Sequence, residues 1–292
     1  MQPQVKPVQV IKYSSQSFEK EMDDLVIIEE PLAIRIGYGA IHQRLQKNLS
    51  VTMRTPGHDF ELTLGFLYSE GIIQHLSQVQ SIRYCTELQR QEEHENIVRV
   101  ELSPDLDLSQ TLYERNFMAS SSCGICGKAQ IESLEQQNCL TLNNWEYHIS
   151  PTFLWEIEAK LTQNQTLFSY TGGAHAVAIY ENTGELVLLR EDIGRHNALD
   201  KVIGAKLGLE KQAIAPILVL SSRVSYEMIQ KSIIAQFPII VAVGAPSSLA
   251  VELAKQFGIT LIAFLNPAVS KHLFQANTPS FTASIKNFGI DG

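Results

Sequence analysis

The second half of the chain carries the more regular hydrophobic pattern. HAVAIYENTGELVLLRED (175–192) reads as two strands around an Asn-Thr-Gly turn. NALDKVIGAKLG (197–208) reads as an amphipathic helix closed by glycine. Apolar runs and amphipathic stretches then alternate: PILVLSS, PIIVAVG and ITLIAFL as strands, SYEMIQKSIIAQF and SSLAVELAKQFG as the helices between them. The strands show little period-two alternation, as expected where both faces of a sheet are covered. This pattern predicts a three-layer α/β domain with at least three parallel strands.

The first half is less regular. Its first 20 residues read as a loose arm. LVIIEEPLAIRIG (25–37) is strand material divided by a proline, NLSVTMRTPG (48–57) a strand and turn, and NIVRVELS (96–103) an alternating strand. DFELTLGFLYSEGII (59–73) fits a helix with an acidic first residue that ends near Gly71. Segments 86–95 and 104–114 read as polar connections. The resulting division is a flexible arm (1–20), a small N-terminal α+β domain (21–115), a cysteine loop (116–136) and the α/β domain (137–292).

Composition narrows the function classes. The 292 residues are 45% hydrophobic and 18% charged, ordinary for a globular protein. No run is long and apolar enough for a transmembrane helix, and the N-terminus lacks a signal-peptide core, which predicts a cytoplasmic protein without membrane contact. A net charge of −8 argues against broad nucleic-acid binding but leaves room for one local anion pocket. Four cysteines do not make a disulfide framework; Cys85 and Cys139 read as small packed hydrophobes.

The predicted strand ends gather the polar chemistry. Ligands of open parallel sheets sit at the carboxyl ends of strands, where helix N-termini offer free N–H groups to anions. SSR (221–223), GAPSS (244–248) and LNPAVS (265–270) occupy such ends. Arg223 is placed to reach into a crevice there, and Ser225 and Ser247 stand as N-cap candidates. TGGAHA (171–176) brings two glycines and His175 to the start of a strand, and REDIGRHNALDK (190–201) packs Arg195, His196 and Asp200 among other polar groups. RTPGHD (54–59) is a turn carrying Arg54 and His58. Neither a G-x-G-x-x-G nor a Walker A pattern is present.

MASSSCGICGKAQ (118–130) holds Cys123 and Cys126 as a Cys-x-x-Cys pair. Such a pair can contribute to a zinc site, exchange a disulfide, pack, or act as a sulfur nucleophile. No second Cys-x-x-Cys exists to complete a zinc knuckle, and no clear strand precedes the pair as in thioredoxin-like units. Ser120–Ser122 can cap a helix that starts at about Gly124, which would place Cys123 where a thiolate is stabilised, with Lys128 nearby.

The ordered set RTPGHDFELTLGFLYSEGII, SSCGICG, TGGAHAVAIY, REDIGRHNALDKVIG, SSRVSYEMIQKS and VAVGAPSSLAVELAKQFGITLIAF resembles the FdhD family over roughly residues 25 to 265. The resemblance implies a formate dehydrogenase accessory sulfurtransferase. Such a protein accepts persulfide sulfur from a cysteine desulfurase. It passes that sulfur to molybdenum cofactor, the bis-molybdopterin guanine dinucleotide form, before insertion into formate dehydrogenase or a related molybdoenzyme. It further implies a cytidine deaminase-like larger domain and a homodimer. Cys123 matches the persulfide cysteine, Cys126 the second motif cysteine, and Phe264, Leu265, Asn266, Pro267, Ala268 and Val269 the cofactor-contacting segment. Arg223 and Arg195, then His175 and Ser247, are the candidates to meet the cofactor's phosphates, with guanine nucleotide as a partial mimic. The arginines usual in the family after the last strand are missing from AFLNPAVSKHLF, which keeps open a non-catalytic cofactor-binding chaperone as the alternative. No metal ligand set is expected. A zinc deaminase needs H-x-E, and Val177 stands where that Glu would be.

Overall fold

The computed structural model describes residues 3–14, 17–85, 95–106, 108, 149, 151–209, 217–263 and 271–274. The predicted parallel strands β9 (Ile217–Leu220), β10 (Ile239–Ala242) and β11 (Thr260–Ala263) lie side by side, and β12 (Lys271–Phe274) adds antiparallel to β11. On the other side β7 (His175–Tyr180) pairs antiparallel with β9 and with β8 (Leu186–Asp192), giving the order β12-β11-β10-β9-β7-β8. The lack of alternation has the expected cause. Leu218, Leu220, Ile240 and Ala242 pack against α4 (Arg195–Leu207), α5 (Tyr226–Ile234) and α6 (Ser248–Phe257). Their neighbours Ile217, Val219, Ile239 and Val241 face Phe153, Ile157 and Leu161 of α2 (Pro151–Asn164). With helices on both faces, each of these strand residues is buried.

A second sheet has the order β4-β3-β6-β5, from β3 (Glu30–Tyr38), β4 (Leu45–Arg54), β5 (Val79–Tyr84) and β6 (Ile97–Leu102). Its inner positions Leu32, Ile34, Ile36, Val98 and Val100 pack on Leu62 and Leu67 of α1 (Asp59–Ser69). Helix α1 in turn crosses α4 with backbones in contact. A Cβ on Gly65 would collide with the Asp200 carbonyl, and one on Gly204 with that of Glu61. The two sheets are thus joined through a helix pair that needs glycine on both sides.

The N-terminal reading is corrected. Val5–Ser14 (β1) and Ser17–Ile27 (β2), most of which fall in the expected loose arm, form an antiparallel hairpin. It is tied back by Ile28 N–H to the Gln4 carbonyl at 2.8 Å and by Gln4 Nε2 to the Pro56 carbonyl at 2.8 Å. β5, β12, α2 and the short α3 (Thr166–Thr171) are further elements that the expected organisation leaves out. The cysteine pair and the segment 264–269 lie outside the described residues. No helix among the described residues is long and apolar enough to cross a membrane.

Candidate functional site

Because β7 and β8 run antiparallel to one another and β7 antiparallel to β9, the start of β7 and the end of β8 meet the carboxyl ends of β9 and β10. His175 opens β7 and stands opposite Asp192, the last residue of β8; Arg195 opens α4 two residues beyond Ile193. Ser221 fixes the next loop, since its N–H donates to the Ala176 carbonyl (3.0 Å) and its Oγ accepts from Ala176 N–H (2.8 Å).

The two loops beyond β9 and β10 stay paired after the strands end. Val224 N–H donates to the Ala245 carbonyl at 3.0 Å, and Ser247 N–H to the Val224 carbonyl at 2.9 Å. Gly244 permits this approach, because a Cβ there would sit 2.7 Å from the Arg223 nitrogen. Arg223 is exposed at the rim.

The predicted residues His175, Arg195 and Arg223 therefore come together. Burial pushes His175 below its ordinary value, the Arg195 and Arg223 charges push it further, and Asp192 pulls weakly the other way. His175 is accordingly neutral at neutral pH, while the two guanidinium groups supply positive charge. Arg195 Nε is buried and finds no hydrogen-bond partner among the described residues, and the same holds for Ser225 Oγ and Tyr226 OH at the start of α5. Buried polar atoms of this kind are costly without a partner. They stand close to strand ends where the Arg195 and Arg223 charges act together on His175 and helices begin, a setting whose chemistry suits an anion.

The serines separate in role. Ser247 is an N-cap, its Oγ accepting from Ala250 N–H at 3.2 Å. Ser225 holds the N-cap position of α5, but its side chain accepts no capping bond. The sequence marks Ser225 only as a cap and does not single out Tyr226; an N-cap serine looks the same in sequence whether or not its oxygen is used. In TGGAHA, Gly172 ends α3 in the left-handed region, at φ 64°.

The polar run 190–201 is mostly a buried seam between the sheets rather than a solvated loop. Asp192 and Lys201, both fully buried, pair at 2.7 Å. Lys201 also donates to the carbonyls of Thr55 (2.9 Å) and Glu191 (3.3 Å). Asp192 accepts from Thr55 N–H (3.1 Å), Gly194 N–H (2.8 Å) and Asn197 Nδ2 (3.2 Å). Asn197 reaches the Met53 carbonyl at 2.7 Å and accepts from Thr52 Oγ1 at 3.0 Å. Asp200 receives two bonds from Lys231, at 2.6 and 2.7 Å, and one from Ser69. Glu191 caps α3 through Leu167 N–H and Phe168 N–H. RTPGHD is the other half of the seam: Arg54 pairs with Asp59 through two bonds, and Glu61 meets Arg190 and His58. Removing one partner of a fully buried pair such as Asp192–Lys201 or Arg54–Asp59 costs about 3–5 kcal/mol.

Crevice and seam are built from stretches scattered over the chain, and comparison with known proteins covers nearly all of them. The family model described as FdhD/NarQ matches residues 27–273. The chain belongs to the FdhD/NarQ family. A protein named sulfur carrier protein FdhD from Mycolicibacterium paratuberculosis is 41% identical over 244 residues, which are 83% of this chain and 87% of that protein. Another of that name from Sulfurisphaera tokodaii is 40% identical over 264 residues, 90% of this chain and 94% of the relative. In fold, the chain is similar to the crystal structure of a protein described as a formate dehydrogenase accessory protein from Desulfotalea psychrophila. The TM-score is 0.66 at 22% identity, over 95% of this chain and 98% of the other. The FdhD/NarQ match takes in the seam, the crevice and the Cys123–Cys126 pair alike.

Proposed function

We propose that the chain is a sulfur carrier. Cys123 accepts sulfur as a persulfide from a cysteine desulfurase and passes it to bis-molybdopterin guanine dinucleotide molybdenum cofactor, the cargo, before formate dehydrogenase or a related molybdoenzyme receives it. The observation that carries this reading is the family match over residues 27–273, which spans both cysteines, together with relatives named sulfur carriers over 90% of the chain. A thiolate is the reacting form of such a cysteine, so a helix start beside Cys123 and the Lys128 charge would favour it. Cys126 serves as the second thiol of the pair.

The cargo is polyanionic, and its burial in a protein of net charge −8 needs local compensation. Arg223 and Arg195 provide guanidinium forks for phosphate oxygens, and the N–H groups at the start of α6 provide further donors. His175, Ser247 and the segment Phe264, Leu265, Asn266, Pro267, Ala268 and Val269 complete the proposed contacts. The parallel strands covered on both faces are compatible with the deaminase-like architecture proposed for the larger domain, and a homodimer is the proposed assembly.

Formate dehydrogenase activity in a strain lacking its own copy of this protein tests the reading. Wild type should restore activity, Cys123→Ala should not, and Arg223→Ala should restore a reduced level. Full restoration by Cys123→Ala would contradict sulfur carriage and favour the non-catalytic chaperone.

A further inference from the structure

Thr55 comes directly after β4, on the side of the four-stranded sheet, yet it spends its N–H and Oγ1 on the turn between β8 and α4 and its carbonyl on α4 itself. Its N–H donates to Asp192 Oδ2 at 3.1 Å. Its carbonyl accepts from Lys201 Nζ at 2.9 Å. Its Oγ1 accepts from Ile193 N–H at 3.1 Å. The residue is fully buried, so water competes little for these bonds. The segment they hold is short and consequential. Asp192 stands opposite His175 in the β7–β8 register, and only Ile193 and Gly194 separate it from Arg195. Gly194 N–H and Asn197 Nδ2 both close back onto the same Asp192 oxygen, and Asn197 is itself held by Thr52 and Met53.

We propose that Thr55 is a positioning residue for the crevice: through Asp192 and Ile193 it fixes the β8–α4 turn and thereby holds Arg195 beside His175. The proposal rests on the sulfur-carrier reading only in taking this crevice as the place where the anionic cargo binds. A residue just beyond one sheet then sets the charge geometry at the end of the other. A slip of the seam would move Arg195 although every residue proposed to touch the cargo keeps its identity.

Thr55→Val and Thr55→Ser separate this role from simple packing. Valine keeps the branched shape, the N–H and the carbonyl, but leaves Ile193 N–H without its acceptor; serine keeps the acceptor and loses a methyl. Proton titration of the His175 imidazole by NMR reads the outcome in the full chain without any ligand. Among the described residues, Arg195, Arg223 and Asp192 are the charged groups acting on that imidazole. With Arg195 released, the His175 midpoint rises toward its ordinary value of 6.5 in Thr55→Val and stays at the wild-type position in Thr55→Ser. Global destabilisation alone does not move a midpoint measured in the folded state. Guanosine diphosphate affinity follows the same order, falling about fivefold in Thr55→Val. Should valine prevent folding, Thr52→Val, at a half-buried position, loosens Asn197 and gives the same direction of shift. An unchanged His175 midpoint in the folded variant overturns the proposal. A wild-type protein that binds no guanine nucleotide overturns the cargo reading alone, because the His175 titration needs no nucleotide.

Discussion

Glu61 lies between Arg190 Nε and Nη2, at 2.5 and 2.8 Å, and His58 Nδ1 at 3.1 Å. Burial by itself would raise its pKa, but the hydrogen bonds from Arg190 and His58 outweigh burial and hold the carboxyl down at about 2, against an ordinary 4.5. The folded value is thus below the unfolded one. The stabilisation from Glu61 is fully present above pH 4.5 and is lost as pH falls through that window toward 2. Glu61→Gln should therefore unfold more easily than wild type at neutral pH, and the gap should narrow as acid is added. Urea midpoints at about pH 6 and about pH 3 check this; a constant gap would show that Glu61 is not held by Arg190. At this scale the sequence displays which residues are dense in charge, but not what they are for. Asp192, Asn197 and Lys201 lie 137 to 146 positions from the Thr55 and Met53 groups they bind, and no local pattern encodes that pairing. That Arg223, Arg195 and His175 come together was legible because strand ends are legible.

Helices α1 and α4 meet at Gly65 and Gly204. Replacing an interior helical glycine by alanine ordinarily favours the helix by about 1 kcal/mol. Here Gly204→Ala should instead destabilise by about 1–3 kcal/mol, because the new methyl meets the Glu61 carbonyl in a packed crossing. Gly208→Ala, whose Cβ would find its nearest neighbour at 3.5 Å, is the control and should be close to neutral in urea unfolding. Equal effects at both positions would remove the close crossing from the account. The repeat of strands and helices from β9 to β11 can be read directly, since burial on both faces leaves unbroken apolar runs. The β1–β2 hairpin cannot: two strands alone bury little, and Ile11, Met22 and Val26 remain exposed, so the apolar positions among the described side chains follow no single buried face. Helix α2 does leave a signal in Phe153, Ile157 and Leu161 at four-residue spacing, with Pro151 at its first position.

On the scale of the whole molecule, the six-stranded sheet brings Arg195, Arg223 and His175 together at its strand ends, the proposed cargo site, and the four-stranded sheet braces that end through α1 and the Thr55–Asp192–Lys201 seam. Sulfur loading at Cys123 and cargo binding at the crevice are then separable steps in the proposed carrier. The most direct measurement is the cyanide-releasable sulfur on purified protein after incubation with a cysteine desulfurase and labelled cysteine. Wild type and Arg223→Ala should each carry label in stoichiometric amount, Cys126→Ala should keep a measurable part of it, and Cys123→Ala should carry none. Label retained in full by Cys123→Ala, or absent from wild type, would contradict sulfur carriage by Cys123.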